Sequence, residues 1–129
     1  MADFETEVKN LANTADYTDQ FDPNDIASNK VMGVLAYLFV LVLIPLFAAK
    51  NSPFARFHAN QGLILFVAEL ALWVISALLG GIPVLGTIIT ICVNILDVAL
   101  FVLMILGIVN VVSGKAKDLP LIGKIRILS

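Results

Sequence analysis

The chain has 129 residues, of which 60% are hydrophobic and only 14% are charged, with a formal net charge of −2. An ordinary soluble domain carries roughly 45–50% apolar and about 25% charged residues, so a soluble core of this size cannot hide the excess. The charge is also divided by position: residues 1–29 hold seven acids against Lys9, whereas 113–129 hold Lys115, Lys117, Lys124 and Arg126 against Asp118. Neither end has the composition of a nucleic-acid arm. The single cysteine, Cys92, excludes an intrachain disulfide and a CxxC metal site, and its apolar surroundings predict an inert packing residue.

Residues 1–29 form the first unit, an acidic polar tail ending in a short helix before the membrane. They offer neither the basic nor the apolar region of a cleavable leader, so the first hydrophobic segment is expected to act as its own insertion signal. Phe4, Val8 and Leu11 fall at helical spacing. Asp16, Asp19, Asp22 and Asp25 recur every third residue, without the alternate acids and central glycine of an EF-hand loop. A solvated tail is expected, with partner docking through Tyr17 and Phe21 as the lesser alternative. In DPNDIASNK, Asp22 can cap free N–H groups, Pro23 suits the first helical position, and Asp25 suits the positive end of the helix dipole.

Residues 30–114 form the hydrophobic unit. The stretch 31–49 has no charge and is bracketed by Lys30 and Lys50, which predicts a first membrane span of about 20 residues, kinked near Pro45. Ser52 and Pro53 repeat the cap-then-proline start, so a second helix begins near Pro53, crosses the interface as an amphipathic turn or two, and spans over 62–79. Gly80 and Gly81 end it. A third span lies within 83–112, with its membrane portion over 83–107, and Ser113 and Gly114 stop it. A break near Gly107 into two short helices is the alternative. The last unit, 115–129, is a short basic amphipathic tail whose PLIGKI resembles PVLGTI at the start of span three; both read as interfacial turns.

The expected architecture is therefore an all-α membrane protein, a three-helix transmembrane bundle with an interfacial helix start and an acidic tail. The basic residues of the connector and C-terminus predict a multi-pass plasma-membrane protein with its N-terminus outside and its C-terminus cytoplasmic.

Between His58 and Lys115 the only charged residues are Glu69 and Asp97. An acid at the centre of a membrane helix costs about 2.5–3.5 kcal/mol on insertion scales and faces protein or water. His58, Gly62, Leu65, Glu69 and Ser76 return to one face of span two. Thr87, Thr90, Asn94 and Asp97 make a similar seam on span three, and a hairpin about Gly81 sets Glu69 opposite residue 93, near Asn94. Polar contact between helices is preferred to a proton or cation relay, because transporters usually show more spans and interrupted helices. Arg56, His58 and Gln61 form an interfacial group for headgroup contact or helix capping. A lone histidine without a companion at ligand spacing does not make a metal site, and no nucleophile–base pair or phosphate loop appears.

The phrases AYLFVLVLIPLFAAKNSPFARFHANQGLILF, IPVLGTI and KDLPLIGKI resemble a family of small bacterial membrane proteins of unknown function. That family is similar to the Tic-twenty component of chloroplast protein import and to magnetosome membrane proteins implicated in crystal growth. The resemblance covers about 30–127 and implies a helical membrane bundle, with no established catalytic residues to carry over; no cofactor and no metal are expected. The import component is drawn with four spans, against three expected here. A non-enzymatic membrane subunit or scaffold is expected, in contact with the lipid bilayer and associating with itself or a larger membrane-protein partner. A small oligomeric channel or proton/cation carrier using Glu69 and Asp97 is the alternative.

Overall fold

Asp22 and Pro23 start the first helix as their residue types require: the Asp22 carboxylate accepts from Asn24 N at 2.9 Å and proline sits in the first turn. In the computed structural model, which describes residues 15–122 and 124–127, helix α1 is Pro23–Ser28 and α2, Lys30–Leu35, follows after Asn29. A tight 3-10 turn occupies Phe39–Val42, and α3 is Leu43–Ala48. Two long helices complete the chain, α4 at Pro53–Leu79 and α5 at Leu85–Val112. The helical spacing of Phe4, Val8 and Leu11 lies outside the described residues.

The expected single span over 31–49 does not form. Pro45 has no N–H, and its ring would strike the carbonyl of residue 41 if one helix ran through. The chain instead leaves helix at Ala36, passes through Phe39 with φ of +54°, and restarts at Leu43 with Pro45 in its first turn. Helices α2 and α3 pack on each other and on α4, so the segment folds back on itself. Its ends meet: Asp25, before α2, hydrogen-bonds Ser52 Oγ at 2.6 Å and Phe54 N at 2.9 Å, after α3. Asp25 therefore stands in the first turn of its own helix, as expected, and also accepts from the first turn of α4.

The vertex of this fold lies against α4 at Gly62. A Cβ there would stand 1.7 Å from the Ala36 carbonyl oxygen, so only glycine permits the approach. Ser52 caps α4 as expected, its hydroxyl accepting from Ala55 N at 3.1 Å. Helix α5 runs unbroken past Gly107, where the Tyr37 ring fills the space of a side chain: a Cβ would lie 2.3 Å from it. At 28 residues and 1.5 Å per residue, α5 measures about 42 Å.

Other expectations differ from the structure. Residues 15–18 lie along the C-terminal segment: Tyr17 N donates to Ala116 O and Asp118 N to Ala15 O, both at 2.8 Å, and Thr18 supplies the hydroxyl and amide that hold the Asp16 carboxyl below the usual carboxylate range. These bonds put the N-terminal segment and the C-terminal segment at the same end of the α4–α5 hairpin, whereas N-outside, C-cytoplasmic topology needs opposite ends. Tyr17 and Phe21 face inward, edge-on to Phe57 at 5.9 and 5.8 Å. Cys92 is exposed on α5 and makes no part of the core.

Burial separates the hairpin into two parts. Phe54, Ala55, His58, Ala59, Gln61 and Leu65 are buried, while Trp73, Leu78, Ile95 and Val98 are 64–73% exposed. Only 17% and 22% of the most apolar windows of α4 and α5 are covered. A core helix of a soluble protein would be mostly covered, so this surface belongs against an apolar solvent.

Candidate functional site

The RFHANQ segment forms the first turns of α4, ahead of the apolar run that starts at Gly62, and the C-terminal segment lies across it. Ala116, Asp118 and Leu119 are at most 3% exposed, while Leu121, Ile125 and Ile127 stand outward, so the segment is anchored to the core at 116–119. Three polar side chains within four residues, His58, Asn60 and Gln61, hold it. His58 bonds the Lys115 carbonyl through Nε2 at 2.9 Å. Gln61 Oε1 accepts from Leu119 N at 2.6 Å and its Nε2 reaches Lys117 O at 3.5 Å. Asn60 Nδ2 donates to Ile125 O at 2.8 Å, and its Oδ1 accepts from Ile127 N at 2.6 Å.

Each amide thus binds the C=O of one residue and the N–H of the residue two further on. This is the pattern a neighbouring β-strand would offer, supplied by side chains on one side of a segment whose other side bridges to Asp16 at Lys117. Buried backbone groups left without partners cost about 1–3 kcal/mol each, so the clamp satisfies groups that burial would otherwise penalise.

The interior of the clamp is a directional chain. Gln61 Nε2 donates to Tyr37 Oη at 2.8 Å, and Tyr37 Oη lies 2.6 Å from His58 Nδ1. Since Nε2 faces a carbonyl, it carries the proton; Nδ1 is then the acceptor and the tyrosine hydroxyl the donor. All three side chains are at most 1% exposed, and every polar atom in the chain has a role that a neutral imidazole fits. Burial pushes the His58 pKa down to about 4, with the Lys115 carbonyl opposing in part. Phe54 and Phe57 edges close on the imidazole at 4.8 and 5.2 Å. Outside this chain, Arg126 bonds the buried Asp118 at 3.1 Å and lies 5.5 Å over the Phe57 ring.

Of the sequence-predicted group, His58 and Gln61 meet, while Arg56 is half-buried and lines a groove on the adjacent surface. Asn60, Tyr37 and Asp118 are the functional positions that sequence reasoning missed. Tyr37 carries the only hydrogen-bonding side chain within 31–49, a signal that could have marked it. The backbone partners of Asn60 gave none.

The second predicted group divides. Glu69 and Asp97 face each other between α4 and α5 within hydrogen-bonding range, and Asp97 Oδ1 is buried with no hydrogen-bond partner. Asn94, expected near Glu69, is exposed, as are Thr87 and Thr90; the Thr90 hydroxyl turns back to Gly86 O at 2.9 Å. The hairpin register is set by the close approach of Gly86 to Gly80, where a Cβ would meet the Gly80 carbonyl at 2.2 Å, and this brings Asp97 rather than Asn94 to Glu69. Ser76 is half-buried on α4. Among the described residues no three metal-ligating side chains gather.

The comparisons with known proteins fit this arrangement. Residues 28–128 match the model of the magnetosome magnetite crystal formation protein family. The chain is 37% identical to Magnetosome protein MmsF of Paramagnetospirillum magneticum over 97 residues, 74% of this chain and 83% of that one. It is 38% identical to the UPF0132 membrane protein MJ1443 of Methanocaldococcus jannaschii over 97 residues, 74% and 82% of the two chains. It is 28% identical to Magnetosome protein MamF of P. magneticum over 94 residues, 72% and 78%. The magnetosome part of the resemblance is thereby carried, and the import-component part is not. No solved structure matches. The matched span takes in α2 to α5 and the clamp, and leaves the acidic N-terminal residues outside.

Proposed function

We infer that this chain, which belongs to the magnetosome magnetite crystal formation protein family, is a non-enzymatic membrane subunit that associates with a second copy of itself through the exposed face of α5. Relatives named for the magnetosome and a relative named only as a membrane protein share the matched region, so the shared property is taken to be the membrane body and not one reaction. The polar side chains of the clamp are engaged by the protein's own backbone, which leaves them without the open geometry that a nucleophile or general base requires.

The observation that carries self-association is Asn94. It is exposed at the middle of an apolar helix, and nothing within the described residues hydrogen-bonds its side chain. In hydrocarbon an asparagine side chain gains about 1–2 kcal/mol in model peptides by bonding across helices. An amide, with one donor and one acceptor side, pairs with its own image about a two-fold axis. Thr90 and Thr87 lie on the same stripe, about one and two turns before it.

The topology follows from where the charges lie. Lys30, Lys50, Arg56, Lys115, Lys117, Lys124 and Arg126 all belong to the clamped end, and the turn 80–84 has no charge. Positive-inside then gives two crossings, a re-entrant 30–49 segment, and both chain ends cytoplasmic; Lys30, an exception under three spans, falls into line. In mild detergent the wild type is expected as a dimer or small oligomer by light scattering and Asn94→Leu as a monomer of unchanged helix content. An unchanged oligomer, or co-purification of a different stoichiometric subunit, contradicts self-association through this face.

A second reading rests on Asp97 Oδ1, buried without a donor beside Glu69: a proton held between the two acids and passed along the helix pair. Glu69→Gln with Asp97→Asn would then abolish proton flux in liposomes while leaving assembly intact, and lost assembly would contradict it.

A further inference from the structure

The two halves of the stem hold different numbers of helices. Lys30 Nζ bonds the Val112 carbonyl at 3.3 Å, so the fold-back begins level with the last turn of α5. It then moves inward along that helix: Gly33 lies against the Val111 side chain, and the Tyr37 ring lies against Gly107. The turn that follows gives Val42 to the buried cluster that also holds Leu65 of α4 and Leu103 of α5. From Val112 back to Leu103 is about 14 Å along the axis, close to half of a roughly 30 Å hydrocarbon core. Past Leu65 no residue of α4 is buried, and the chain is back at its starting end by Ser52, whose hydroxyl meets Asp25. The near half of the stem therefore carries α2 and α3 packed beside α4, and the far half carries α4 and α5 alone.

We propose that this asymmetry makes the chain a wedge that prefers convexly curved membrane, with the clamped end on the convex side. The wedge rests on the two-crossing topology proposed above, to which it adds a preference for one shape of the surrounding bilayer. A helix with its side chains is about 10 Å across, so α2 and α3 displace on the order of 150 Å² of lipid area from one leaflet and none from the other. Curving a bilayer spreads the headgroups of its convex leaflet and crowds those of the concave one. An apolar insertion confined to the convex leaflet fills the space so opened, which is why interfacial apolar segments respond to curvature.

The outer surface of the fold-back has the chemistry this requires. Val40, Leu43, Ile44 and Phe47 are 39–67% exposed, and no charged residue lies between Lys30 and Lys50. Acyl chains are the surroundings that so apolar a surface fits.

The wide end is also built to keep its shape. Its vertex is seated on α4 so closely that a Cβ at Gly62 would lie 1.7 Å from the Ala36 carbonyl oxygen. Its two ends are tied through the Asp25 carboxylate to Ser52 Oγ and the Phe54 amide, at 2.6 and 2.9 Å. Between them, the Tyr37 hydroxyl is bonded to His58 and Gln61. A segment held at its vertex, its ends and its middle does not flatten under lateral pressure, so the bilayer adapts to it.

The test uses the full chain in giant phosphatidylcholine vesicles, from which a tube of about 20 nm radius is drawn to give a convex outer surface. In a Cys92→Ala background, Asn51→Cys or Ile82→Cys is labelled from outside with a membrane-impermeant fluorescent maleimide, so that each variant displays one orientation alone. Relative to a lipid dye, Asn51→Cys molecules should be about threefold enriched in the tube and Ile82→Cys molecules about threefold depleted. Equal tube-to-vesicle ratios for the two, or the reverse order, overturn the wedge. The topology is read apart from curvature, in chains carrying Asn24→Cys together with Asn51→Cys. Treated from outside with a polyethylene glycol maleimide, each chain should run on a denaturing gel with two adducts or none. One adduct per chain would put 31–49 across the membrane and remove the wedge with it, whereas two adducts or none beside equal tube ratios overturn the wedge alone.

Discussion

The end of the molecule built from 15–61 and 115–127 buries polar side chains and satisfies them, whereas the stem built from 62–112 exposes apolar ones. At the clamped end, His58, Asn60, Gln61, Tyr37 and Asp118 are almost wholly covered and each has a partner at hydrogen-bonding distance. In the stem, Trp73, Leu78, Ile95 and Val98 stand outward. A soluble protein reverses both habits. One buried apolar cluster, from Ile26, Ala36 and Phe54 to Leu103, Met104 and Val111, joins the two parts; around it the clamped end adds hydrogen bonds made strong by exclusion of water, and the rest of the stem depends on its surroundings.

The largest expected effect breaks the joint between the two parts. Gly62→Ala sets a methyl 1.7 Å from the Ala36 carbonyl oxygen, and backbone on both sides must move, at about 3 kcal/mol or more. The thermal midpoint in detergent should fall by at least ten degrees, and a change of one or two degrees would show that Ala36 does not press on α4. A smaller loss is expected from Gln61→Ala, which leaves the Leu119 amide without an acceptor and the Tyr37 hydroxyl with His58 alone, a cost of about 2 kcal/mol. Its distinguishing readout is limited proteolysis, with cleavage inside 115–127 rising while α4 and α5 stay resistant. Uniform resistance would show that the clamp is not what holds the segment.

The smallest effect is a pH dependence confined to the clamped end. The folded His58 pKa of about 4 lies below its ordinary 6.5, so the unfolded chain binds the proton first as pH falls. Stability is complete above about 6.5, declines through the interval and is flat again below about 4. At pH 5.5 the loss should be about 1.4 kcal/mol relative to neutral pH. His58→Gln should be less stable at neutral pH but flat over the same interval; an equally sloped profile in that variant would assign the slope to other groups.

What the sequence disclosed follows from how local each signal is. The start of α4 at Ser52–Pro53, its end before Gly81 and the stop of α5 at Ser113–Gly114 depend on residues within one turn, and they stand as read. The segment 31–49 was misread because an apolar run gives length without direction. The fold-back depends on Pro45 and on a contact with Gly62, and only the first is local. In the site, His58 and Gln61 were marked by residue type, but their partners are backbone groups 57 and 58 residues away, and backbone has no letter in a sequence. Asn60 was passed over for the same reason. Asp97 was matched to Glu69 only loosely, because the Gly80–Gly86 approach that fixes the register lies in the turn.

The central claim is that the N-terminal segment, the connector and the C-terminal clamp share one end of a two-helix stem. Single cysteines at Asn24, Asn51 and Ile82 in a Cys92→Ala background test it in sealed, oriented vesicles with a membrane-impermeant thiol reagent. The account predicts that Asn24→Cys and Asn51→Cys react from the cytoplasmic face and Ile82→Cys from the opposite one. Reaction of Asn24→Cys from the same face as Ile82→Cys would restore a complete crossing over 31–49 and contradict the fold-back.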